Sequence, residues 1–341
     1  MSENGDNLPS DADASAPKPK NGTQIAELLR RLRHAADRLP VSRTAQEDVK
    51  ILSQTLRELR RAFTVFAPYR SQRKVTVFGS ARTPRDAPTY AHAERFGQLM
   101  AANGWFVVTG AATGIMEAGH RGAGRDRSMG LNIMLPFEQE ANEVIRGDGK
   151  LVTMKYFFTR KLMFVKECDA VVCLPGGFGT MDEAYEVLTL LQTGKREMMP
   201  LVFLDATGGR FWQDWLAYIK ANLLDGGMIS PEDLSLFRVT DCVEETVDEI
   251  LRFYRVFHSM EYIHNRLVLR LQHPIDEPRL AALQHQFGDI LADGEFRQEA
   301  AVAGEMSNPE LAAMTRLIFH FNRRSLGRLR QLIDAINREA A

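Results

Sequence analysis

The sequence predicts a doubly wound α/β domain built on a parallel sheet, with a helical N-terminal extension and a small α+β C-terminal appendage. Three observations predict it. Short apolar runs recur at Lys74–Gly79, Trp105–Thr109, Met129–Met134, Ala170–Leu174 and Pro200–Leu204, with a shorter one at Phe237–Thr240. Helical patterns separate them, at Thr89–Asn103, Gly114–Gly122, Thr159–Glu167, Thr180–Gln192, Phe211–Asn222 and Val243–Phe257. Continuous apolar strands are buried on both faces, which is how a parallel sheet between two helix layers reads. Finally, the first strand ends in Gly79-Ser80 before a polar loop, and in such sheets ligands sit over the carboxyl ends of the strands.

The elements follow in order. Residues 1–22 are polar and rich in Asp, Asn, Ser and Pro, and read as a disordered tail. Residues 23–70 form the extension. Thr23 can cap a helix whose face carries Ile25, Leu28, Leu29, Leu32 and Ala36, and Pro40 breaks it. A second helix runs from Thr44 to Phe66 on the stripe Val49, Leu52, Leu56, Leu59 and Phe63. Its arginines read as a solvated face. Residues 71–258 hold the alternating strands and helices. Residues 259–341 form the appendage, in which Asn265–Gln272 alternates like a strand. Asp276 can cap a helix reaching about Leu291, Arg297–Val302 is a short strand, and Pro309–Glu339 is helical, kinked or divided at Gly327. The basic cluster His320, Asn322, Arg323, Arg324, Arg328 and Arg330 reads as a solvated helix face or an oligomer contact before an effector-phosphate site.

Composition excludes several classes. Of 341 residues, 43 are Lys or Arg and 44 Asp or Glu, so no basic surface for nucleic acid is expected. Cys168, Cys173 and Cys242 cannot all pair, there is no CxxC, and no metal-ligand cluster is visible. The start lacks the apolar core of a signal peptide and no run is long enough to span a bilayer, so a cytoplasmic protein is expected.

The richest stretch is Leu174-Pro175-Gly176-Gly177-Phe178-Gly179-Thr180-Met181-Asp182-Glu183. Its order is strand, glycine turn, helix. Glycines let backbone approach a ligand without a Cβ in the way. The amides and positive dipole end of the following helix favour a phosphate above the turn. Gly176, Gly177, Gly179 and Thr180 are therefore candidate phosphate contacts. Glu183 lies one turn inside that anion site, where it would repel a bare phosphate, so its use is on another part of the same ligand. As a purely structural residue it would only complement the helix dipole, worth about 0.3–1 kcal/mol. Arg160 sits in the first turn of its helix, where a cation opposes the dipole, and that local cost points to another purpose.

Pro175-Gly176-Gly177-Phe178-Gly179-Thr180 followed by Glu183 resembles the PGGxGTxxE signature of the Lonely guy family, and Arg160-Lys161 resembles its upstream Arg-Lys pair. The resemblance runs roughly from Lys74 to His258. It includes Val77-Phe78-Gly79-Ser80, Thr113-Gly114-Ile115-Met116-Glu117-Ala118, Leu135-Pro136-Phe137-Glu138 and Leu188-Thr189-Leu190-Leu191-Gln192-Thr193-Gly194-Lys195. The family's members are phosphoribohydrolases acting on nucleoside 5′-monophosphates, many once labelled lysine decarboxylases. The resemblance implies hydrolysis of AMP or a cytokinin riboside 5′-monophosphate to free base and ribose 5-phosphate. No cofactor or metal is implied, and a homo-oligomer is. It makes Glu183 the catalytic carboxylate and Arg160 its partner, with Lys161 lining the nucleotide site. Gly79, Ser80, Thr113, Gly114 and Thr189 become candidate substrate contacts, and Asn132 and Glu138 lie in segments like the family's ligand-facing ones. Gly110-Ala111-Ala112-Thr113 has less glycine than the family often has.

Three rival readings were weighed. Gly79-Ser80-Ala81-Arg82 is no dinucleotide turn, since GxGxxG is missing. Nothing specifies a pyridoxal-phosphate lysine. A non-catalytic carrier of a nucleotide or of molybdenum cofactor shares the fold, but has no need of both Arg160 and Glu183.

Overall fold

The computed structural model describes residues 21–135, 140–300, 311 and 313–338. All but the last two residues of the predicted disordered tail lie outside them. Those two begin α1 (Asn21–Arg38), which is followed by α2 (Gln46–Phe66). Contacts divide the chain inside α2, into residues 1–57 and 58–341. In the first unit the apolar stripe of Ile25, Leu28, Leu29, Leu32, Val49, Leu52 and Leu56 is exposed.

The second unit begins with the end of α2, where Glu58, Ala62 and Phe66 are buried. It continues β1 (Lys74–Phe78), α3 (Pro88–Ala102), β2 (Phe106–Thr109), α4 (Ile115–Ala123), β3 (Ser128–Ile133) and β4 (Leu151–Met154). Then come α5 (Phe157–Lys166), β5 (Ala170–Cys173), α6 (Phe178–Gln192), β6 (Leu201–Leu204), α7 (Phe211–Tyr218), β7 (Arg238–Thr240) and α8 (Val243–Phe253). The seven strands form one sheet in the order β4-β3-β2-β1-β5-β6-β7, and every pairing is parallel. The fold is thus the predicted doubly wound sheet. Strand order reverses between β1 and β5, so a crevice opens where the ends of those two strands part.

Side chains alternate between two cores. Val75, Val77, Val107, Val172 and Val202 face one layer, where Tyr90, Phe96, Ile115 and Ile250 from α3, α4 and α8 pack. Phe78, Val108, Cys173 and Phe203 face the other, with Phe164, Val187 and Trp212 from α5, α6 and α7. Cys168 and Cys173 are buried free thiols, and burial pushes Cys168 up to about 11.

The C-terminal segment adds an antiparallel sheet. It contains β8 (Phe257–Ile263), β9 (Arg266–Leu271), α9 (Glu277–Phe287), β10 (Leu291–Glu299), β11 (Thr315–Phe321) and α10 (Leu326–Asn337), with strand order β10-β11-β9-β8. Its Phe257, Leu269, Leu317, Phe319 and Leu332 share the second core of the main sheet.

Here the expected long helix over 309–339 does not form. Leu317-Ile318-Phe319-His320-Phe321 is strand β11, paired on both edges, and a separate helix follows at 326–337. The periodicity of Leu311, Met314, Leu317, Ile318 and Phe321 fits a helix, but two flanking strands offer that aromatic run a full ladder of partners. An Asx turn joins the two elements: Asn322 Oδ1 accepts from the amides of Arg324 and Ser325 at 2.9 and 3.0 Å. Gly327 neither kinks nor divides a helix, since the break from strand to helix comes before it. It lies in the first turn of α10, where an added Cβ would come within 2.2 Å of Glu232 O. Nor is the basic cluster one face. Arg330 is 1% exposed and ion-paired to Glu249 and Asp334, Arg328 binds Asp289, and Arg323 lies over the Tyr262 ring.

Candidate active site

The crevice between β1 and β5 is closed below by backbone. Leu174 N–H donates to Phe78 O at 2.8 Å and Ser80 N–H to Pro175 O at 3.1 Å. Two glycines permit this. A Cβ on Gly79 would collide with the side chain of Ile115, and one on Gly176 would lie 2.2 Å from Thr180 Oγ1. Gly177 and Gly179 differ, because a Cβ there would meet no protein atom within 4 Å. Their missing side chains leave open space over the N-terminus of α6, where Thr180 and Met181 N–H turn back to Gly177 O and the amides of Phe178 and Gly179 come before the first intrahelical bond.

That space belongs to a cleft of about 860 Å³. Gly79, Ser80, Arg160, Gly176, Gly177, Gly179, Thr180 and Glu183 all line it. So eight residues drawn from three separate stretches of sequence converge. Glu183 is 4% exposed, and its Oε2 has no hydrogen-bond partner in the protein. Burial raises its pKa from 4.5 to about 7, against the opposing pull of Arg160 and Lys161. Arg160 stands over the rings of Phe157 and Phe164, at 5.0 and 5.5 Å, and its Nε is likewise buried and unpartnered. Burial lowers its pKa, with Glu183 acting the other way, and a guanidinium stays charged through such a shift. The start of α5 is fixed by Glu58, which accepts from Lys155 N–H at 2.8 Å and Thr159 Oγ1 at 2.7 Å.

Four candidates lie elsewhere. Lys161 Nζ pairs with Asp182 and Glu186, at 2.7 Å each, tying α5 to α6 beside the cleft. Thr113 Oγ1 donates to Ala81 O at 2.9 Å. Gly114, at φ +64°, passes so close to Ser80 O that a Cβ would sit 2.3 Å away. Both shape the loop after β1 from behind. Thr189 is exposed, with its hydroxyl bonded to Tyr185 O one turn back. Asn132 does line the cleft, and Glu138 lies outside the described residues. Sequence reasoning did not single out Arg82, Met116, Met181 and Phe211 in the lining. Arg82 had a signal, since it closely follows a glycine at a strand's carboxyl end. The apolar three had none, because a helical apolar residue reads as core.

A family model described as "Possible lysine decarboxylase" matches residues 109–250. The cytokinin riboside 5′-monophosphate phosphoribohydrolase of Mycobacterium tuberculosis is 28% identical over 171 residues, 49% of this chain and 88% of that one. An Arabidopsis thaliana protein of the same activity name is 26% identical over 183 residues, 52% of this chain and 81% of its own. An uncharacterized Archaeoglobus fulgidus protein is 30% identical over 111 residues, 33% and 70% of the two chains.

This chain belongs to the Lonely guy family.

Its Lonely guy signature residues Gly176, Gly177, Gly179, Thr180 and Glu183 are those gathered at the helix end, and Arg160 of the Arg-Lys pair faces them across the cleft. The molybdenum cofactor carrier protein of Chlamydomonas reinhardtii superposes over 53% of this chain and 98% of its own. Its identity of 17% and TM-score of 0.37 are too low to bear on function within the Lonely guy family.

Proposed function

We propose that this protein hydrolyses the N-glycosidic bond of a purine nucleoside 5′-monophosphate, giving free base and ribose 5-phosphate. AMP is the first substrate to try, and a cytokinin riboside monophosphate the specialised one. What supports this is the buried Glu183, whose Oε2 has no partner in the protein, one helical turn from the glycine turn at the start of α6. A phosphate on the amides of Gly177 to Gly179, with the Thr180 side chain beside it, brings the ribose over that carboxylate. The remote phosphate then supplies binding energy that orients the reacting centre. As the C1′–N9 bond breaks, its electron pair leaves with the base and positive charge grows on the ribose. Ionised Glu183 stabilises that charge and takes the proton of the water that adds to C1′, while the departing base takes up one proton from solvent, so that Glu183 returns to its ionised form by releasing its own. Arg160 offers a fixed cation for the phosphate or for the negative charge on the departing base.

A non-catalytic nucleotide or molybdenum-cofactor carrier is the rival reading. A carrier has no need of both Arg160 and a carboxylate buried with an unpartnered oxygen in the cleft, so the enzyme is preferred. Incubation with a panel of nucleoside monophosphates, assaying free base and ribose 5-phosphate, decides between them. AMP should be cleaved, and adenosine far more slowly, because the helix end is then left without its anion. Tight binding of AMP with no cleavage of any monophosphate points to the carrier.

We also propose a homo-oligomer in which the exposed stripe of α1 and α2 is covered by another copy. Among the described residues no helix is long and apolar enough to cross a membrane.

A further inference from the structure

The loop between β2 and α4 forms part of the cleft wall through Gly110 and Ala112. Between them Ala111 has φ +60°, the left-handed region that an L side chain disfavours. Something must hold it there. Its N–H donates to Thr109 Oγ1 at 2.9 Å, and its carbonyl accepts from Asn142 N–H at 2.8 Å. Asn142 Nδ2 donates to Ala112 O at 3.0 Å.

Both tethers meet at one buried imidazole. His120 is 0% exposed. Its Nε2 lies 3.0 Å from Met129 O and 3.1 Å from Thr109 Oγ1, and its Nδ1 lies 3.2 Å from Asn142 Nδ2. A carbonyl only accepts, so Nε2 carries the proton and Nδ1 accepts from the Asn142 amide. Asn142 then spends both amide hydrogens, one on Ala112 O and one on His120, which agrees with an Oδ1 that is buried without a partner. The arrangement requires neutral imidazole, and burial holds the His120 pKa down at about 4. The loop is also coupled to the charged machinery: a Cβ on Gly110 would lie 2.7 Å from Met116 Sδ and 3.7 Å from Arg160 Nη1.

We propose that Thr109, His120 and Asn142 are positioning residues that clamp Ala111 in its left-handed conformation, so that Gly110 and Ala112 keep the shape of the cleft beside Arg160. None of the three lines the cleft. The functional part of this inference rests on the phosphoribohydrolase reading. With the clamp released, Ala111 relaxes to negative φ, and the loop moves against Arg160 and the nucleotide.

The test is a rescue. His120→Leu and Thr109→Val each remove part of the clamp. Each should speed hydrogen exchange in the peptide covering 109–113 and lower kcat/KM for AMP by about 10- to 100-fold, the scale of a small misplacement at a reacting centre. Adding Ala111→Gly should restore kcat/KM, because glycine enters the left-handed region without strain, while Tm stays below the wild-type value since the lost buried hydrogen bonds are not replaced. A role in stability alone predicts that kcat/KM follows Tm and that Ala111→Gly restores neither, and that result overturns the proposal. So does wild-type exchange and turnover in both single variants. If His120→Leu does not fold, Thr109→Val, which is isosteric, carries the same comparison. If wild-type protein cleaves no monophosphate, the functional reading has failed separately, and exchange together with the Kd for AMP still judges the clamp.

Discussion

Glu183 is the residue on which activity and stability pull in opposite directions. Its folded pKa is raised, so between 4.5 and about 7 the folded protein holds a proton that the unfolded chain has released. Stability from this group is therefore fully present below 4.5 and is lost as pH rises through 7, an effect of at most about 3 kcal/mol. Glu183→Gln imitates the protonated form. It should melt higher than wild type at pH 8 and equal to it near pH 4, as calorimetry across pH would record. Turnover of AMP should fall by at least about 10²-fold, the scale of losing one electrostatic stabiliser. Since ionised Glu183 is the acting form, kcat/KM of the wild type should rise with pH through about 7. A flat profile from pH 5.5 to 8.5 would remove Glu183 from the chemistry.

At the scale of elements, the end of α6 serves a ligand at the expense of its own helix. Gly177 and Gly179 are not required by any neighbouring protein atom. Gly179→Ala should therefore fold, and gain up to about 1 kcal/mol from helix propensity. Its methyl would stand where the phosphate is expected, so KM for AMP should rise at least about tenfold while Tm does not fall. A variant with unchanged KM would move the phosphate elsewhere. Lys161, seated between Asp182 and Glu186, holds α5 against α6 and so fixes the spacing of Arg160 and Glu183.

For the whole molecule, the C-terminal segment is fastened by charge as well as by apolar packing. Burial would raise the pKa of Glu249, but Arg330, Arg252 and Arg238 outweigh it and hold the carboxyl below its usual range. Its stabilisation is thus present near neutrality and is lost as pH falls through that depressed value. Arg330→Met removes the buried partner of Glu249, which keeps only the more exposed Arg252 and Arg238, and should cost up to about 3–5 kcal/mol in denaturant unfolding. Adding Glu249→Leu should recover most of that, and failure to recover would mean that packing, not charge, dominates the contact. The exposed stripe of α1 and α2 gives a different expectation. Leu28→Glu with Leu52→Glu should lower the mass measured by light scattering while leaving Tm unchanged, and an unaltered mass would show that another surface joins the copies. Removing residues 309–341 would not make that test, because β11 is an inner strand of its sheet.

The sequence by itself determined the doubly wound sheet and the anchor of the site, because both are written in local order. Apolar runs of strand length alternate with helical periods, and Gly176, Gly177, Gly179, Thr180 and Glu183 follow one another across a single turn. Tertiary structure decided whatever depends on what meets what across long separations. Phe257–Ile263 and Thr315–Phe321 became strands because partners were there to pair with, although the second carries a helix-like period. Arg160 reached Glu183's cleft because β5 lies between their helices, while Lys161, one residue on, was turned to an outer ion pair. Ala111 shows the same limit most sharply. Nothing in Gly110-Ala111-Ala112-Thr113 forecasts a left-handed alanine, since its carbonyl is held by distant Asn142, and the imidazole behind both Thr109 and Asn142 comes from His120. Short-range order fixes which backbone conformations are favoured, and only a folded chain supplies the distant partners that make a disfavoured one the stable choice.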